Sequence, residues 1–331
     1  MASSSAVRDW GNALRRGGTA RVRLGQELET YGVWFALAAL VVVSTLVSPE
    51  FLHTTNLLNI LRQSVPLAIV AMGEALVILV GGFDVSVGNL VTLTAVITAR
   101  VMADSNARIL PTVLLVLAIG ALVGLTNGLL VAKLRTDPFV TTLAMMLVLQ
   151  GAAYVYTQGS PANDLTHGFR QISVGDVGGV PISVLCFLGI FALVWFVLNR
   201  TVPGRRLYAV GTNRRVAHLS GQPLTRTIVS AYVACSVLTV VGGLFLVAWI
   251  GTTDMSAGSG WALQAIAAAL IGGAAIGGGR GGVGGPVGGV LVLTTILNLV
   301  DLVALPNYAK LLVEGGAVIA GVALYSQRRK E

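Results

Sequence analysis

Ten apolar stretches, separated by short polar or glycine-rich breaks, set the pattern of this 331-residue chain. They run over about 32–47, 64–82, 85–102, 110–132, 139–157, 181–198, 227–250, 262–278, 286–304 and 309–325. A bilayer-spanning helix needs roughly 20 mostly apolar residues, so each stretch predicts a membrane span. The stretch from 85 opens on Ser86 and Gly88, and glycines interrupt 262–289. Either region fits a broken or re-entrant helix as well as a clean crossing. The expected organisation is an arm over 1–31, a transmembrane domain over 32–325 and a tail over 326–331.

Composition agrees with that pattern. Hydrophobic residues make up 55% of the chain and charged residues 11%, against roughly 25% charged in an average soluble domain. The predicted class is an all-α polytopic membrane protein of about ten transmembrane helices. No interruption is long enough to house a soluble domain. The first 30 residues show no apolar core of signal-peptide length. Cys186 and Cys235 fall inside separate apolar stretches and read as small buried thiols.

Charge then sets orientation. With both termini inside and ten crossings, 17 of the 22 Lys and Arg residues fall in inner segments. The segment 199–226 decides the matter, with six arginines and no acid. Basic flanks on the cytoplasmic side account for the net charge of +8 better than a nucleic-acid partner does, because the charges sit between apolar runs. The partner is the lipid bilayer, with no nucleic acid.

Several short motifs carry candidate chemistry. In GGFDVSVGN, Gly81 and Gly82 permit a tight break, and Asp84 and Ser86 can cap a new helix. The same residues, with Gly88 and Asn89, can also form a polar constriction on a transport path. Glu74 lies within an apolar stretch, where a carboxylate must face protein or water. It reads as a proton relay, an internal pairing partner or a structural acid. The glycines at 272–273, 277–279, 281–282 and 284–285 lack the Lys-Ser/Thr of a phosphate loop, so close helix approach and a turn explain them better. His53, His167 and His218 are dispersed, which leaves no metal signature. The basic segment from Gly204 to Gly221 is either a topology anchor or a docking helix for a cytoplasmic partner.

These segments together resemble the permease subunits of ribose-type (carbohydrate uptake) ABC importers. GGFDVSVGNL is similar to that family's glycine-glycine-Ile-Asp-Leu-Ser-Val-Gly signature. NGLLVAKLRTDPFVTTLAMM resembles its inner loop, GRRLYAVGTNRRVAHLSGQPLTR its large cytoplasmic loop, and IAAALIGGAAIGGGRGGVGGPVGG its C-terminal glycine-rich motif. The resemblance covers roughly 32–325. Departures fall at Asp137, at Trp261-Ala262 with Gln264, and at Glu314.

The resemblance implies an importer permease fold in the plasma membrane of a bacterium, working as a homodimer or heterodimer of permeases. It also implies cytoplasmic ATPase subunits, which bind ATP and Mg, and an extracytoplasmic sugar-binding protein. The permease chain itself would hold no cofactor and no metal, and would have no catalytic residue. The expected substrate is a pentose or similar monosaccharide. Carried over by position, the Asp84 motif and the Gly278–Gly285 region would shape the translocation path, and the expected path residues are Glu74, Asp84, Ser86, Asn89, Gln264 and Asn298. Gly211, Asn213, Arg214, Arg215, Ala217, His218 and Gly221 would form the loop that couples to the ATPase. Gly81, Gly82, Gly88, Gly278, Gly279, Gly281 and Gly285 would shape the helix turns. The alternative from the residues alone is a self-contained secondary transporter or channel using Glu74, Asp84 or Glu314.

Overall fold

The computed structural model describes residues 32–160, 165–306, 308–316 and 319. The expected arm over 1–31 and tail over 326–331 lie outside the described residues. The chain is mostly helical. In order, the principal helices are α1 (Gly32–Val47), α2 (Thr54–Leu79), α3 (Val87–Met102), α4 (Ile109–Lys133), α5 (Pro138–Thr157) and α6 (His167–Val174). A two-residue hairpin follows, β1 (Asp176–Val177) against β2 (Val180–Pro181), then α7 (Ile182–Arg200), α8 (Val202–Thr212), α9 (Arg214–Leu219), α10 (Leu224–Ile250), α11 (Trp261–Ile271) and α12 (Gly284–Leu302). Residues 308–316 are helical. Among the described residues, six helices are long and apolar enough to cross a membrane: α2, α4 with its preceding turn, α5, α7, α10 and α12.

Among the six long helices the two most enclosed are α2 and α10, whose most apolar windows are 83% and 67% buried; for α7 the share is 11%. Cys235, on α10, is buried as expected, whereas Cys186 is exposed because α7 turns most of its surface outward. Apolar lipid gives helices little reason to associate, so small residues that let backbones approach do that work. Gly120, Gly124 and Gly128 stand four apart on one face of α4. A Cβ on Gly124 would lie 2.5 Å from the Tyr232 carbonyl oxygen, and one on Gly128 would lie 2.8 Å from Val229 Cα.

Three helices differ from their apolar stretches. α2 begins ten residues before the expected 64, because its polar first turns find partners. Asn56 and Asn298 exchange amide hydrogen bonds of 3.1 and 2.8 Å, and Arg62 pairs with Asp176. α11 stops at Ile271, well short of 278. It ends as α2 does: Gly82 N donates to Val77 O at 3.0 Å, and Ala274 N to Ala269 O at 2.9 Å. Gly81 (φ 76°) and Gly273 (φ 89°) supply the left-handed residue that this closure needs. α3 starts only at Val87, after a non-helical return.

Asp137, one of the departures from the family pattern, has a local explanation. Its side chain accepts from Val140 N at 3.0 Å and so caps α5, with Pro138 in the first turn. At the opposite end of the molecule, Arg100 donates to the carbonyls of Tyr156 (3.1 Å), Thr157 (2.8 Å) and Ser160 (3.3 Å), which ties α3 to the end of α5.

Candidate functional site

The segment 80–86 is non-helical backbone that turns back beside α2. Its Asp84 reaches Glu74, five residues before the end of α2, or about 8 Å up the helix at 1.5 Å per residue. Irregular backbone survives at such a place only if its polar groups are satisfied by protein. Here they are. Glu74 Oε1 accepts from Asp84 N at 3.1 Å, and Thr142 Oγ1 accepts from Val85 N at 3.2 Å. Asp84 Oδ1 accepts from Ser86 N at 3.0 Å and also from the Ser86 hydroxyl. Tyr232 OH donates to Phe83 O at 3.3 Å.

Glu74, Asp84 and Ser86 are each fully buried, and Asn127 Nδ2 donates to Ser86 Oγ at 3.1 Å. The expected cap is therefore half right. Asp84 closes the turn, while Ser86, although it stands at the cap position of α3, makes no side-chain cap bond.

A second junction lies immediately below, where the end of α2, the basic segment 199–226 and the glycine-rich segment from 277 meet. Arg214 Nη2 donates to Val80 O at 2.9 Å, and Gly279 N donates to Leu79 O at 2.9 Å, so two of the free carbonyls at the end of α2 are occupied. Tyr208 OH donates to Gly281 O at 2.8 Å. A Cβ on Gly211 would stand 1.8 Å from Leu79 O and 2.5 Å from Gly279 N, and one on Gly278 would meet Gly81 N at 2.9 Å. Asn213 caps α9 by accepting from Arg215 N (3.0 Å) and Val216 N (3.1 Å). Ala217 is buried, whereas Arg214, Arg215, His218 and Gly221 are exposed.

Other expected path residues stand apart. Asn89 Nδ2 donates to Met146 O at 2.8 Å and so ties α3 to α5. Asn298 is engaged with Asn56. Gln264 approaches Gly260, as does Glu314, away from the Glu74 and Asp84 pair. Gly88 packs against the backbone of Gly258, Gly82 against the Tyr232 hydroxyl, and Gly285 against Gly272. Sequence reasoning missed Asn127, Thr142, Tyr232 and Cys235, the last with its sulfur 3.9 Å from Glu74 Oε2. The available signal was a polar group alone inside an apolar stretch. Among the described residues no group of three His, Cys, Asp or Glu side chains gathers to hold a metal ion.

A multi-span helical protein with a broken helix at its centre, joined to basic loops on one face, belongs among membrane translocators. Residues 56–322 match the family described as "Branched-chain amino acid transport system / permease component", and the chain belongs to that family. It is the permease subunit of a bacterial ABC importer, a transport component and not an enzyme. The ribose import permease protein of Escherichia coli (strain K12) is 35% identical over 299 residues, 89% of this chain and 92% of that protein. The ribose import permease protein of Bacillus subtilis (strain 168) is 34% identical over 306 residues, 92% and 95% of the two chains. The galactose/methyl galactoside import permease protein of Salmonella typhimurium is 33% identical over 317 residues, 90% and 94% of the two chains. No solved structure matches at a significant level.

Proposed function

We propose that this chain imports a small monosaccharide, a pentose or a close relative, as one of two permease subunits that enclose the path. Relatives named for ribose, allose and galactose, at 32–35% identity over about nine-tenths of the chain, support that substrate class. In this reading ten helices cross the plasma membrane, with α1, α3, α11 and the helix from 308 completing the six longer ones. An extracytoplasmic binding protein delivers the sugar, and cytoplasmic ATPase subunits bind ATP and Mg.

The observation that carries the mechanism is the junction at the end of α2. α9 would seat in the ATPase, and its movement would pass through Arg214 and Gly211 to Leu79 and Val80. From there the Glu74 to Asp84 bond continues to the start of α3. Displacing α9 would therefore displace the turn beside the path, which couples nucleotide hydrolysis to opening. Asp84, Ser86 and Asn89 shape the constriction, and Glu74 positions it.

The test is uptake of labelled ribose, allose and galactose into proteoliposomes holding permease, ATPase and binding protein. Uptake of one of them that requires both ATP and the binding protein is expected. Equal uptake by the permease alone, driven by an ion gradient, would instead establish the secondary transporter.

A further inference from the structure

On the face that carries the basic loops, a cavity of about 880 Å³ opens between the ends of α4 and α10 and the short helix α9. Its lining is amphipathic. Val131, Leu224 and Ile228 supply an apolar wall, and Arg135, Arg214, Arg215, Arg226 and His218 supply the polar groups. No carboxylate lines it among the described residues. Asp137, two residues from Arg135 in sequence, caps α5 by accepting from Val140 N. Neither salt bridge among the described residues involves any of the four arginines.

The backbone adds an independent observation. α4 closes with Leu134 N donating to Leu129 O and Thr136 N to Leu130 O, which leaves Arg135 in the left-handed region at φ 57°. Glycine fits such a closing turn without penalty, and an L side chain does not. The chain nevertheless places an arginine there, on the rim of the cavity. Leu134, Phe139 and Val140 beside it are exposed apolar side chains at the end of a spanning helix, suited to acyl chains.

We infer that this cavity binds the phosphate headgroup of an anionic phospholipid of the inner leaflet. Arginines present forked donors that match phosphate oxygens, and basic pockets between spanning helices on the cytoplasmic side suit such headgroups. The glycerol and first methylenes would lie along Val131 and Ile228. Arg214 both lines the cavity and holds Val80 O, so a bound headgroup would brace the junction at the end of α2. The inference rests on the proposed function for placing this face in the cytoplasm, and since Arg214, Arg215 and His218 also belong to the coupling loop, the test uses Arg135 and Arg226, which line the cavity outside α9.

The test is the lipid retained by the full-length permease purified from mixed phosphatidylglycerol and phosphatidylcholine nanodiscs, read by native mass spectrometry. Wild type should be enriched in phosphatidylglycerol. Arg135→Gly, which relieves the backbone, and Arg226→Gln should each lower that enrichment about fivefold, the worth of one basic residue near an anionic surface. Arg108→Gln removes an exposed arginine at the opposite end of α4 and should change nothing. Equal enrichment in wild type and both variants would overturn the inference. So would unchanged lipid with loss of ATPase association, which would make the cavity a protein-docking surface. Because lipid is read on the permease alone, failure of coupled transport leaves this result intact.

Discussion

A methyl group at Gly211 is the sharpest perturbation of the proposed coupling route. Its Cβ would fall 1.8 Å from Leu79 O, where real Cβ atoms almost never come within 3.0 Å. Both obstructing atoms, Leu79 O and Gly279 N, are backbone, so α8 and the end of α2 must separate by more than 1 Å for relief. Overpacking of this kind costs about 1–3 kcal/mol. The displaced Gly279 N to Leu79 O bond adds about 1 kcal/mol. A total of about 2–4 kcal/mol corresponds to a factor of roughly 30 to 1,000 in a conformational equilibrium.

Gly211→Ala should therefore insert normally but unfold several degrees lower, with binding-protein-stimulated ATP hydrolysis reduced tenfold or more. Gly277→Ala is the internal control, since nothing lies within 4 Å of its Cβ. Thermal unfolding and stimulated ATPase rates of the assembled transporter provide the assay. If Gly211→Ala behaves as Gly277→Ala does, α8 is not locked to α2 and the route is wrong.

Other expectations follow from the same contacts. Asp84→Asn can still accept from Ser86 N and should keep most of the stability, whereas Asp84→Leu should lose about 1–3 kcal/mol through unpaired buried groups; equal melting of the two would remove the turn-closing role. Gly124→Val should separate α4 from α10 and abolish a stable monomer fold in detergent, while Gly151→Val, with nothing within 4 Å of its Cβ, should be tolerated. Breaking the exposed Arg62 and Asp176 pair with Asp176→Asn should cost less than about 1 kcal/mol; a larger loss in a melt would show that the hairpin anchors α2. The Ser256 hydroxyl and amide hold the exposed Asp254 carboxyl below its ordinary value. That contribution is present above the usual carboxylate pKa and lost as pH falls through the lowered one, so Asp254→Asn should flatten the acid limb of the stability profile slightly.

Much of the architecture was legible because span formation depends on local composition. α5 and α7 begin and end within two residues of their apolar stretches. The grouping of the basic loops was legible for the same reason: those that carry Arg214 and Arg280 meet at one end of the molecule, with Arg100 at the other. The resemblance located Asp84 and Gly211, and the comparisons bear out the permease family. The partnerships were not legible. That Glu74 receives the Asp84 amide, or that Arg214 holds a carbonyl of α2 134 residues away, depends on tertiary approach that no local pattern encodes. The early start of α2 was hidden because Asn56 and Arg62 lower its hydropathy, and only their partners explain why a helix tolerates them. Gly120, Gly124 and Gly128 did carry a readable signal, a four-residue spacing of small residues, which lay unused inside an otherwise uniform apolar stretch.

The central claim is that this chain is the passive gate of an ATP-driven sugar importer, moved through α9. The most direct measurement places permease, ATPase and sugar-loaded binding protein in one liposome population and follows ATP hydrolysis and sugar entry together. The account predicts that both rise with the binding protein and that charge reversal at Arg214 and Arg215 uncouples them, leaving hydrolysis with little entry. Sugar entry that persists without ATP, or coupling that survives the reversal unchanged, would contradict it.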